Sequence, residues 1–264
     1  MLSKLLKYEI KATGRIFLPL FLALLMFAGI TKFLSVFSPE KWSTPAALSM
    51  AIYIVIMVGM FVMTCIMMIQ RFYKNLLSNE GYLMLTLPVK PWKHIVTKLL
   101  VSMLWIVASG IAALISILII ALHKGDLPRI IVESAACMRL VYERLGASIY
   151  LYSIEIIIGI LISLASAILI VYASIAIGHL FSQHKMLASF GAFILLNTIS
   201  QILFMFYSSG IANLCNIHVS SNDFMGMQLV IQQVIAYGIV YTGLLCAAFF
   251  AVTNYILSKR LNLE

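Results

Sequence analysis

"LLVSMLWIVASGIAALISILIIAL", residues 99–122, carries no charged side chain and no strand-like alternation of apolar and polar residues. At about 1.5 Å per residue such a run, coiled as one helix, crosses the roughly 30 Å hydrocarbon core of a bilayer. Both flanks repeat the pattern. Residues 16–37, 46–70, 149–179, 186–207 and 229–257 are comparably long and apolar. Backbone groups in lipid must be bonded internally, and without alternation a helix satisfies them where a barrel strand does not. The expected fold is an all-α membrane protein with six transmembrane helices. Composition agrees: 63% of the 264 residues are apolar and 10% are charged, whereas a soluble domain carries roughly 25% charge.

Six spans place both termini on one side of the membrane. Segments 1–15, 71–98, 181–185 and 258–264 hold 12 of the 18 Lys and Arg residues, which assigns them and both termini to the cytoplasm. The other six basic residues fall in the opposite loops. The net charge of +9 follows from this topology and from contact with anionic membrane lipid, so nucleic acid is not an expected partner. The basic start followed by an apolar run resembles a signal peptide, but the run is too long and no small-residue cleavage site follows, so a retained first helix is expected. Cys65 and Cys246 fall in spans. Cys137 and Cys215 fall in outer loops, either as free thiols or as a disulfide. No C-x-x-C occurs, and no metal site is expected.

A single membrane domain is expected over 1–264. At 100° per residue, Leu2, Leu5, Leu6 and Ile10 share one side of a helix and Lys4, Lys7, Lys11 and Arg15 the other. Residues 1–15 are therefore expected to lie along the inner membrane surface as an interfacial helix, turning into the bilayer near Pro19. Glu9 breaks the apolar side. It either bonds a basic residue of 71–98 or of a partner, or snorkels to water. The outer loop 123–148 holds a second amphipathic pattern, with Ile131, Ala135, Met138, Tyr142 and Leu145 opposite Arg129, Glu133, Glu143 and Arg144. Residues 208–228 contain no Lys or Arg and read as a re-entrant element or an exposed outer loop.

The long inner loop 71–98 is basic, with Glu80 as its one acid. Leu76, Glu80, Leu83, Met84 and Leu87 are spaced by threes and fours, so a short helix would show Leu83, Met84 and Leu87 together. Pro88 stops it, and Pro91 with Trp92 bends the chain back to the membrane. An apolar face on the water side marks a partner, or packs on the protein's own inner helix ends.

"RFYKNLLSNEGYLMLTLPVKPWKHIVTKLL", residues 71–100, resembles the first intracellular loop of permeases of the type-2 (type V exporter) ABC transporter family. The matching positions are Glu80, Gly81, Leu85, Pro88 and Lys98. "VYASIAIGHLFSQHKMLASFGAFILL", residues 171–196, is similar to the connection between the fourth and fifth helices of small six-helix permeases of Gram-positive bacteria. The resemblance implies a bacterial plasma-membrane subunit whose coupling helix, with Glu80, Gly81, Leu83, Met84, Leu87 and Pro88, docks in a cleft of a separate ATPase subunit. It also implies a second permease copy or paralogue. ATP and Mg would be held by the ATPase partner and no cofactor by this chain, which contains no G-x-x-x-x-G-K-[ST].

Glu155 is the one carboxylate inside an expected span, near the outer end of the fourth. Gly159, Ser163 and Ala167 offer a small-residue groove for helix packing. Asn197 and Gln201, one turn apart, can bond a neighbouring span, a re-entrant backbone or the polar part of a substrate. With Glu155 they are the candidate substrate path. The 15 Met residues and "ILFMFY" at 202–207 suit lipid-like or peptide cargo, or serve simply as a lipid-facing surface. An intramembrane hydrolase would need an H-E-x-x-H or paired carboxylates at mid-depth, which the chain lacks. No catalytic residue is expected. The functional expectation is a permease for outward movement of an antimicrobial peptide, drug or lipid. An ion-coupled carrier and a non-transporting structural or sensory subunit are the alternatives.

Overall fold

The computed structural model describes residues 2–37, 44–76, 91–122, 126–146, 148–181, 183–218 and 224–259. They form seven helices: α1 (Leu2–Phe37), α2 (Thr44–Leu76), α3 (Pro91–Ala121), α4 (Asp126–Leu145), α5 (Ser148–Gly178), α6 (Lys185–His218) and α7 (Phe224–Lys259). No strand occurs among the described residues. All but α4 are long and apolar enough to cross a membrane, so the chain is built as a multi-pass membrane protein. The helices are longer than the apolar runs because polar ends continue the same backbone bonding.

The expected separate interfacial helix over 1–15 is not a separate element: α1 runs unbroken through Pro19. Leu6, Ile10, Thr13, Phe17, Leu24, Ala28 and Thr31 form one stripe, each buried or half-buried. Their steps of three, four and seven keep one face inward past the proline. Lys7, Lys11 and Arg15 are exposed, as the amphipathic pattern requires. The inner loop is shorter than 71–98, because α2 continues to Leu76 and α3 opens on Pro91, where proline's missing N–H and preset φ suit a first helical position. Glu80, Gly81, Leu83, Met84, Leu87 and Pro88 lie outside the described residues.

The amphipathic helix expected within 123–148 is present as α4, none of whose residues is buried. It ends at Gly146, whose φ of +57° is the left-handed conformation a helix stop favours in glycine; its N–H donates to the Tyr142 carbonyl at 2.8 Å. Residues 208–228 are mostly neither loop nor re-entrant segment. α6 carries on to His218 and α7 starts at Phe224. The serines that suggested a loop are satisfied inside the helix, Ser208 Oγ donating to the Met205 carbonyl at 3.0 Å and Ser209 Oγ to that of Phe206 at 2.8 Å. Cys137 is a free thiol.

The described chain groups into two compact units, 1–71 with 96–139, and 72–95 with 140–264. In the first, α1, α2 and α3 contribute inward stripes at heptad-like spacing. Tyr53, Met60, Thr64 and Met67 on α2 face inward, as do Val101, Trp105, Ser109, Ala112 and Ser116 on α3. In the second, α5 packs chiefly on α7 and α6. The C-terminal half of α5 is buried on all sides from Tyr172 to Ala176. Phe72, at the end of α2, stacks on Tyr172 with ring centroids 4.0 Å apart.

Candidate functional site

In the first unit the polar side chains meet one another. Glu9 on α1 accepts a hydrogen bond from Lys98 Nζ on α3 at 2.8 Å and pairs with Arg71 Nη1 on α2 at 3.5 Å. The Lys98 side chain is 4% exposed and that of Glu9 12%. Of the two outcomes open to Glu9 in the sequence, bonding within 71–98 is the one found. A cation this deeply buried needs its carboxylate, since desolvation otherwise disfavours the charge by several kcal/mol. Arg71 and Lys98 flank residues 77–90, so one carboxylate ties α1 to the helices on either side of the inner loop.

Further along the same seam, Trp105 Nε1 donates to Thr13 Oγ1 at 2.7 Å, and Thr13 Oγ1 donates to the Glu9 carbonyl at 2.7 Å. The indole stacks on Phe17 at 4.5 Å. Thr64 and Ser109 hydroxyls meet at 3.1 Å, and those of Tyr53 and Ser116 at 2.8 Å. At the far end Lys32 Nζ donates to the Ile120 carbonyl at 3.0 Å, satisfying an acceptor that the last turn of α3 leaves without a helical partner. The pocket beside the ion triad, lined by Thr13, Arg71, Lys98 and Trp105 among others, has a volume of about 20 Å³. That holds one water and no more. The triad links α1, α2 and α3.

The second unit has a larger space. A cavity of about 400 Å³, open along one side so that Ser163, Ala167 and Asn197 are exposed, lies among α5, α6 and α7, within the volume range of small-molecule sites. Its polar lining is Ser163, Ser166, Asn197, Ser200 and Thr242; Ile170, Phe193, Leu245 and Phe249 supply much of the rest. Outside the cavity lining, α5 and α6 also come into close contact. There Gly178 on α5 meets Ser189 on α6 so closely that an added Cβ would fall 2.5 Å from the Ser189 backbone nitrogen. The upper helices are tied by tyrosines: Tyr152 donates to the Gln228 carbonyl at 3.1 Å, Tyr207 to that of Tyr237 at 2.7 Å and Tyr241 to that of Ser200 at 2.6 Å.

Of the three residues in the candidate substrate path, Asn197 alone lines this cavity. Gln201 is exposed and outside the lining. Glu155 is also outside it, with Oε2 buried and without a hydrogen-bond partner among the described residues. The small-residue stripe divides. Gly159 packs, an added Cβ coming 3.4 Å from Ile239 Cγ1, while Ser163 and Ala167 line the cavity. The hydroxyls of Ser166, Ser200 and Thr242 were not singled out from sequence; the available signal is a polar residue near mid-span on three helices at once. No group of three His, Cys, Asp or Glu able to hold a metal occurs among the described residues. Comparison with protein-family models, curated proteins and solved structures finds no match.

Proposed function

We propose that this chain is the membrane-spanning permease subunit of an ATP-driven ABC exporter, moving an amphipathic or hydrophobic substrate outward. ATP and Mg would sit on a separate ATPase subunit docked at the inner face, and a second permease copy or paralogue would complete the path. The observation that carries the proposal is the grip of Glu9 on Arg71 and Lys98, at the base of the loop whose sequence resembles a coupling helix. A push delivered there reaches three spanning helices together, because a buried ion pair resists separation by several kcal/mol. Packed helices then move as rigid bodies. Both termini are cytoplasmic in this proposal.

The test begins with the neighbouring reading frames, where a soluble protein with a Walker A motif is expected, and continues with copurification of that ATPase with this chain; a lone frame would count against the proposal. Leu83→Glu with Met84→Glu is expected to release the ATPase, and Glu9→Gln to leave it bound while lowering substrate-stimulated ATP hydrolysis. Full ATPase occupancy and unchanged transport in the double variant would refute the docking. The buried, unpartnered Oε2 of Glu155 favours a second reading, an ion-coupled carrier, since an intramembrane carboxylate is what proton coupling requires. Transport that collapses with the proton gradient while ATP persists, and that Glu155→Gln abolishes, would favour the carrier.

A further inference from the structure

We propose that the α5–α6–α7 cavity binds an electrically neutral, single-chain amphiphile whose head carries hydroxyl or amide groups. The inference begins with depth. Ser163 is the midpoint of the 148–178 span and Asn197 lies at the middle of the 185–210 span, so the polar lining sits near mid-membrane. A charged ligand held there loses its hydration and must find a counter-charge. The lining supplies none: it contains no Asp, Glu, Lys, Arg or His.

The polar groups themselves define the head. Ser200 Oγ donates to the Leu196 carbonyl at 2.8 Å and Thr242 Oγ1 to that of Gly238 at 2.9 Å, so both hydroxyl protons are engaged by their own helices. The Asn197 amide has no partner among the described residues. An amide offers two donors and an acceptor, and leaving them unmade in an apolar setting costs a few kcal/mol. A ligand hydroxyl or amide, which both donates and accepts, satisfies them; a tertiary cation accepts nothing. Phe193, Leu245 and Phe249 provide the surface for an alkyl chain, and because the cavity is partly open the chain need not fit whole. Among the cargo classes of the exporter reading this selects a neutral lipid-like molecule over a cationic peptide. Transport of it rests on that reading; its binding does not.

The experiment uses the full chain in phosphatidylcholine nanodiscs and three photoactivatable probes with one alkyl chain: a monoacylglycerol, its trimethylammonium analogue and its phosphate analogue. The monoacylglycerol is expected to label α5, α6 and α7 saturably, unlabelled monoacylglycerol to compete, and the charged analogues to label roughly tenfold less, a difference of about 1.4 kcal/mol. Ser163→Phe should abolish saturable labelling. Asn197→Leu should weaken it about 3- to 10-fold, as loss of one hydrogen bond does, with the melting temperature unchanged. Should Ser163→Phe fail to fold, the Asn197→Leu result decides. Unsaturable labelling independent of head group would mean that bilayer chains merely enter the cavity. Preference for the cation, indifference to both variants, or crosslinks solely between two copies would equally overturn the proposal. Labelling as expected, with no stimulation of the ATPase by monoacylglycerol, would keep the site and refute the exporter. Failed labelling with the ATPase still released by Leu83→Glu and Met84→Glu would do the reverse.

Discussion

The two units differ in what their polar side chains reach. In the first, the hydroxyls of Thr13, Thr64 and Ser116 donate to their own helices but also meet side chains on other helices, Thr13 with Trp105, Thr64 with Ser109 and Ser116 with Tyr53, as Glu9 meets Lys98, and the pocket beside the triad measures about 20 Å³. In the second, serine and threonine hydroxyls turn back to their own helices, tyrosines reach across to backbone carbonyls, and about 400 Å³ stays open. Side chain to side chain bonds fix one register of neighbouring helices, since each partner is lost if either helix slides. A tyrosine on a backbone carbonyl tolerates more, because every turn of a helix presents another carbonyl. The first unit is suited to transmit displacement without deforming, and the second to change its internal space.

The largest break in this contrast comes from the triad. Glu9→Ala leaves Lys98 buried without its carboxylate, and a loss of about 3–5 kcal/mol is expected, read as a lowered melting temperature in detergent. Glu9→Leu combined with Lys98→Met should recover much of that loss, because a buried pair replaced by packed apolar groups is often neutral. If the single and double variants melt together, the pair does not hold the unit. In the second unit the comparable weak point is steric. Gly178→Ala drives a methyl into Ser189 Oγ and to 2.5 Å from its backbone nitrogen, so the helix ends must separate, at a cost of roughly 1–3 kcal/mol or more. Gly159→Ala, with its nearest atom at 3.4 Å on a flexible isoleucine, should cost far less.

Hydroxyl deletions sharpen the comparison at smaller scale. Tyr53→Phe removes a bond to Ser116, a fully buried residue, and should cost on the order of 1 kcal/mol, the range measured for hydrogen bonds between membrane helices. Tyr241→Phe removes a bond to a carbonyl inside helix α6, whose own helical bond remains, so its effect should be smaller. Equal effects would erase the proposed difference in register-holding.

The six spans were readable because length and apolarity are properties of one segment, and α4 was readable because its two faces differ within five turns. Glu9 announced itself as a carboxylate on an apolar face, and the choice of 71–98 as the place to look for its partner came from charge alone. That Arg71 and Lys98 should both reach it depended on how three helices lie together. α1 was divided in the sequence because residues 1–15 are amphipathic and Pro19 suggests a bend; the helix instead runs through, and with the hydroxyl of Thr13 taken up by Trp105 and the Glu9 carbonyl the same face stays inward. Empty space is a property of no single helix. Ser163 and Ala167 read as packing residues because small side chains allow close approach, and only the volumes opposite them on α6 and α7 show that the approach stops at Gly159.

The smallest expected effect concerns acidification of the second unit. His179 follows the last turn of α5, 5.2 Å from the Tyr73 ring, with Nε2 buried and unpartnered among the described residues. Burial is the first cause holding its pKa below the usual value of about 6.5, and the Lys185 ammonium is the second. The folded protein thus binds this proton less readily than the unfolded chain. The stability it contributes is present above about pH 6.5 and is lost as the pH falls through the lowered folded value, below which it is flat. His179 is only partly buried, so solvent screens the effect and a shallow slope is expected. His179→Gln should remove that slope. Thermal unfolding measured from pH 7.5 to 5 for both proteins checks it; identical slopes would mean that His179 titrates no differently folded than unfolded.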